Sequence, residues 1–280
     1  MLNNINSKVG QASAYRRLLS RAREQAVANI LSHRRHEVGQ ASACRLLSAL
    51  LLIATTLHAQ RPAPVGPLKE TGFTSIFDGA SLKGWDCDPD FWRVENGEII
   101  GETTAEHQPK QNIFCIWKGG TPGDFELIMD YKLTGETGNS GIQYRSVELP
   151  NVNKWVMKGY QADIDGKQQY TGQVYEERGR GFVALRGQIV YVSDGQKPGS
   201  IGSLGANEEL KGLIKQEDWN ELHIIARGNT LIQLINGRVM SIVVDDDKVN
   251  RKMDGEIGIQ LHVTHAPMKI ESKNIRLKTF

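Results

Sequence analysis

The chain has 280 residues, of which 39% are hydrophobic and 24% charged, a composition that excludes disordered and fibrous classes. Its net charge of +2 is unevenly spread: residues 1–59 hold eight Lys or Arg against Glu24 and Glu37, so the remainder is net acidic. An acidic remainder has no electrostatic footprint for phosphate backbones, which excludes nucleic acid as a partner.

Near the start, Val9-Gly10-Gln11-Ala12-Ser13-Ala14 recurs as Val38-Gly39-Gln40-Ala41-Ser42-Ala43. Two copies are too few to stack as a solenoid. Arg45 then precedes an apolar run over 46–54, and Thr55-Thr56-Leu57-His58-Ala59 follows. A positive residue, a short apolar core and a small residue at the cut describe a signal peptide cleaved after Ala59. Translation starting near Val38 would give that signal an ordinary length. The run is too short to span a bilayer, which needs about 20 apolar residues. The expectation is a leader over 1–59, a linker over 60–72 rich in Pro, and export to the periplasm or medium with no membrane span after cleavage. Cys44 leaves with the leader, and Cys87 and Cys115 could either pair in an oxidising compartment or stay as buried thiols.

From Phe73 onward the hydrophobic period is two. Apolar residues occupy the odd positions of 125–133, and 256–263 alternates strictly. Further runs that predict strands are 112–117, 141–146, 159–164, 187–193, 219–226 and 268–278. Asn236-Gly237 between two strand-like runs is a hairpin signature, because both residues tolerate the positive φ of a type I′ turn. Only 206–215 reads as helix. Many short strands with no break across 73–280 predict one all-β domain, a jelly-roll sandwich of two antiparallel sheets.

Three strands carry polar residues at alternate positions. Gly141, Gln143 and Arg145 point one way, with Ile142 and Tyr144 the other. Gln161, Asp163 and Asp165 share a face, as do Gln260 and His262. For any one strand a solvated outer face explains this. Three together, rich in Gln, Asp, Arg and His, point to a concave polar surface able to pair with sugar hydroxyls. Residues 171–181, with Glu176, Glu177, Arg178 and Arg180, read either as a charged rim with a general base or as a hairpin with surface ion pairs. There is no HExxH, Walker loop, GxSxG or dinucleotide fingerprint.

The order of motifs resembles the 3-keto-disaccharide hydrolase domain family. The residues that carry the resemblance begin with Phe73-Thr74-Ser75-Ile76-Phe77-Asp78-Gly79, Ser81-Leu82-Lys83-Gly84-Trp85 and Trp92-Arg93-Val94-Glu95-Asn96-Gly97. They continue through Asn139-Ser140-Gly141-Ile142, Gly159-Tyr160-Gln161-Ala162-Asp163, Thr171-Gly172 and Tyr175-Glu176, and end with Gly258-Ile259-Gln260-Leu261-His262 and Asn274-Ile275-Arg276. The resemblance implies a concanavalin-like jelly roll and an exported protein that cleaves 3-keto-glycosides. A 3-keto group acidifies the C2 proton, so a base can start elimination of the C1 substituent, and water adding back completes a hydrolysis. Asp163, Glu176 and His262 are the candidate bases, with Arg145 or a bound divalent metal ion as the electrophile. Asn139, Gln143, Tyr160, Gln161, Asp165, Tyr175 and Gln260 are the candidate sugar contacts. The alternatives are a non-catalytic, lectin-like module with Trp155 or Tyr160 as an aromatic platform, and a structural domain of the cell envelope.

Overall fold

The computed structural model describes residues 71–280; the leader, the repeat and most of the linker lie outside the described residues. In chain order the strands begin with β1 (Thr74–Ser75), β2 (Trp85–Asp86), β3 (Trp92–Glu95), β4 (Glu98–Thr103), β5 (Ile113–Trp117) and β6 (Phe125–Thr134). The middle of the chain forms β7 (Asn139–Glu148), β8 (Met157–Asp165), β9 (Val174–Glu177), β10 (Gly181–Ala184), β11 (Gln188–Val192) and β12 (Gly199–Ser203). After one short helix, α1 (Asn207–Lys211), come β13 (Asn220–Arg227), β14 (Thr230–Ile235), β15 (Arg238–Asp245), β16 (Glu256–Leu261) and β17 (Met268–Thr279).

These strands form two sheets, as a jelly roll requires. One runs β12-β11-β15-β14-β13-β6-β17-β4-β3, with β1 added on β17; the other runs β10-β9-β8-β7-β16-β5-β2. Pairing is antiparallel except between β11 and β15, which run parallel, a departure from the expected all-antiparallel sheets. Asn236 and Gly237 turn the β14–β15 hairpin at φ 50° and 76°, the conformation a type I′ turn demands. The helix is half the predicted length, and only Leu210 of it is buried.

The core lies between the sheets. Alternation delivers Leu127, Met129 and Tyr131 from one side and Ile142, Tyr144, Ala162, Val174 and Ile259 from the other. Each fully buried large apolar side chain contributes about 1.5–3 kcal/mol. Cys87 and Cys115 are joined by a disulfide that closes a separation of 28 residues, worth about 3.6 kcal/mol in a chain-entropy account.

One irregularity shapes the site. The β7–β8 register shifts between Tyr144 and Val147, and Arg145 takes a φ of 47°. Gly159 and Gly255 flank this bulge. A Cβ on Gly255 would lie 2.5 Å from the backbone of Arg145 and Ser146, and one on Gly159 would overlap Ser146, so only glycine lets the strands close around it. No helix of the described residues is long and apolar enough to cross a membrane.

Candidate functional site

The face of the seven-stranded sheet that points away from the core holds a cleft of about 270 Å³, lined by ten residues. Gln161 and Asp163 come from β8, Asn139 from β7, Gln260 from β16 with His262 just beyond it, and Tyr175 from β9. Six of the residues singled out in sequence thus meet in one place, although Asn139 and His262 are more than a hundred residues apart. Asn112, Tyr170, Glu177 and Phe182 complete the lining.

The other sequence candidates lie elsewhere, each for a local reason. Arg145 was expected beside Gln143, but the bulge cancels alternation there. Its buried guanidinium instead donates to the carbonyls of Gly123 (3.0 Å), Gly228 (2.7 Å) and Lys252 (3.3 Å) and to Asp124 Oδ1 (3.2 Å), clamping three loops. Tyr160 and Glu176 face the core. The Tyr160 hydroxyl donates to Asp245 Oδ2 at 2.5 Å, and Arg180 bridges Glu176 and Asp245. The Glu176–Arg180 pair is therefore buried and not the surface ion pair that the sequence allowed. Asp165 accepts from the backbone N–H groups of Gln169 (2.9 Å), Tyr170 (2.8 Å) and Thr171 (2.8 Å), which holds the loop that carries Tyr170 to the cleft. Gln143 lies beneath the lining. Trp155 packs away from it and donates to Asp86 Oδ1 at 2.7 Å.

Electrostatics distinguish the groups that remain. Burial pushes the Asp163 carboxyl up to about 8, aided by Asp165 and Glu177 and opposed by a hydrogen bond from Gln161. That bond, 2.7 Å from Gln161 Nε2, engages Oδ1. Asp163 therefore holds its proton well above the usual carboxylate range. His262 is half-buried, and burial lowers its proton affinity. Its Nδ1 lies 2.7 Å from the Val263 carbonyl, an acceptor only, so Nδ1 carries the hydrogen and Nε2 a free lone pair. Burial also raises Glu177, against the pull of Arg178 and a hydrogen bond from Asn112.

The remaining wall is aromatic. Phe182, 47% exposed, stacks on Tyr170 with centroids 5.6 Å apart and meets Tyr175 edge-on at 5.1 Å. Phe182 and Tyr175 are register partners across β9 and β10. Asp163, Glu177 and His262 are the cleft's available metal donors. No group of three His, Cys, Asp or Glu among the described residues is close enough to hold an ion.

The cleft is thus polar with one aromatic wall, on the outer face of a jelly-roll sheet, and a family match makes this a carbohydrate-related protein. The chain belongs to the 3-keto-α-glucoside-1,2-lyase-like domain family, which it matches over residues 72–278. No curated protein matches it. Similar solved structures include a glycosyl hydrolase candidate from Parabacteroides distasonis, 18% identical, covering 75% of this chain and 94% of that one at a TM-score of 0.49. Another is the carbohydrate-binding module CBM66 from Bacillus subtilis, at 15% identity, 70% and 96% coverage and a TM-score of 0.44. A protein with a galectin-like fold from Bacillus subtilis gives 11% identity, 71% and 90% coverage and a TM-score of 0.46.

Proposed function

We propose that the cleft binds a 3-keto-glycoside and eliminates its C1 oxygen substituent. The observation that carries this reading is that Asp163 and His262 line one cleft in opposed settings: burial strengthens the carboxyl's hold on its proton and weakens the imidazole's, and His262 Nε2 keeps a free lone pair. Groups pushed apart in this way divide into acid and base. His262 Nε2 takes the proton from C2, and the C–H electrons pass to the C3 oxygen as an enolate. The C1–O bond then breaks as the C3 carbonyl and a C1–C2 double bond form, and Asp163 gives its proton to the departing oxygen. Water adding across the double bond, hydroxyl to C1 and proton to C2, restores both groups and yields net hydrolysis. Asn139 and Gln161 hold hydroxyls, and the wall of Tyr170, Tyr175 and Phe182 takes an apolar sugar face.

Purified protein incubated with a 3-keto-α-glucoside, with and without a chelator, should release the C1 substituent. Binding without release contradicts the reading and supports a lectin-like module, which the exposed aromatic wall would also suit. Export is part of the proposal, and the Cys87–Cys115 bridge supports it. The mature protein should begin near Gln60 in the periplasm or medium; an uncleaved cytoplasmic form as the sole species contradicts this.

A further inference from the structure

Elimination places negative charge on the C3 oxygen, yet no Lys or Arg lines the cleft. Arg145, the electrophile expected from sequence, is spent on loop carbonyls. Among the lining side chains, a neutral donor is left to meet that charge as it forms. Gln260 is fully buried at the cleft, and its Nε2 has no hydrogen-bond partner. Leaving such a group unpaired costs roughly 1–3 kcal/mol.

Its orientation is set from below. Three acceptors lie within reach of the Ser146 hydroxyl, the carbonyls of Tyr144 (3.0 Å) and Tyr160 (3.4 Å) and Gln143 Oε1, and the nearest, Gln143 Oε1, takes its proton. Gln143 therefore turns Nε2 to Gln161 Oε1, at 3.0 Å. Gln161 in turn directs Nε2 to Asp163 Oδ1 at 2.7 Å and to Gln260 Oε1 at 3.4 Å. Each amide has its acceptor at one end and its donor at the other, so the direction set at Ser146 passes along the row. The last amide is left presenting only Nε2. Room for this row comes from Gly141, the register partner of Asp163, where a Cβ would lie 2.6 Å from the Gln161 side chain.

We propose that Gln260 Nε2 donates to the C3 ketone oxygen of the bound sugar and stabilises the enolate that forms there, an inference that rests on the eliminating cleft described above. Two observations select the ketone over a hydroxyl. Gln260 has its oxygen engaged by Gln161 and its nitrogen unpaired, so its unmet capacity is that of a donor, which suits an oxygen that only accepts. Gln260, near the end of β16, and His262, just beyond it, both line the cleft and stand two residues apart, at most about 7 Å between Cα atoms. They can therefore address adjacent atoms of one ring, the C3 oxygen and the C2 proton. Ser146 and Gln143 are positioning residues.

The test uses a 3-keto-1,5-anhydroglucitol, which has a C2 proton but no group to expel, and follows C2–H exchange in D2O by NMR. Wild-type protein should catalyse exchange, and Gln260→Met should slow it by about 10²–10³-fold, the usual loss for one oxyanion donor. The analogue's dissociation constant, measured in parallel, should move far less. Ser146→Ala should slow exchange by a smaller factor with binding intact. Gln260→Glu, which keeps the side-chain shape, stands in and is judged on the same ratio if Gln260→Met does not fold. Exchange at the wild-type rate in the folded variant, or a rise in dissociation constant that accounts for the whole loss, overturns the assignment. Wild-type protein that binds the analogue and exchanges nothing instead overturns the eliminating reading beneath it.

Discussion

Strand β8 separates two buried polar regions that look alike in sequence and differ in kind. On the core side, Tyr160, Glu176, Arg180 and Asp245 bind one another in a closed network, in which one guanidinium serves both carboxylates. On the cleft side, Gln161 and Asp163 belong to a row that ends with bonds unmade: Gln260 Nε2 has no partner and His262 Nε2 keeps a free lone pair. Burial is common to both regions. What separates a structural polar cluster from a candidate site is therefore unspent hydrogen-bonding capacity next to open volume.

Substitutions on either side of β8 should break in different ways. The largest effect is expected from Asp163→Asn, which should lower turnover by about 10²–10⁴-fold while the sugar still binds. Its sign in stability is the opposite. Burial pushes the Asp163 carboxyl up to about 8 in the fold from the ordinary 3.8, so the folded state holds an extra proton between those values and loses stability as pH rises through that window. Asp163→Asn should therefore melt higher than wild type at pH 9 and about the same at pH 3. In the wild type, kcat/KM should rise with pH through the depressed His262 range and fall above about 8, and melting curves and pH-rate profiles check both statements. Across the strand, Arg180→Leu should destabilise the fold by about 3–5 kcal/mol, because Glu176 and Asp245 would be left buried without their cation. Denaturant titration reads that loss, and the folded fraction should keep its turnover. Phe182→Ala should matter least, raising KM several-fold, about 1 kcal/mol, with kcat unchanged.

The fold was largely legible because its signals are local. Alternation over 125–133 and 256–263 and the Asn236-Gly237 turn are properties of neighbouring residues. The site was legible where alternation holds: Gln161 and Asp163 share a face, as do Gln260 and His262. It was lost where a fact is not local. The bulge that removes Arg145 depends on Gly159 of β8 and Gly255, just before β16, closing on β7. Glu176 could have been excluded from sequence, since on one strand it cannot share a face with its neighbour Tyr175, and the same alternation selects Glu177. Tyr160 beside Gln161 is the same case. Phe182 was reachable only through its pairing with Tyr175. Asn112 reaches the cleft beside His262, its Oδ1 accepting from Val263 N at 3.2 Å. Tyr170 sits in a loop whose shape is set by the Asp165 carboxylate, and no periodicity marks it.

The central claim is that a carbon-bound proton is removed before the glycosidic bond breaks. A 3-keto-α-glucoside deuterated at C2, compared with its protiated form, tests this most directly. Proton abstraction by His262 predicts slower release of the C1 substituent from the deuterated sugar, and solvent hydrogen at C2 of the product. Equal release rates with deuterium fully retained at C2 would mean that the bond breaks at C1 without elimination, and would contradict the account.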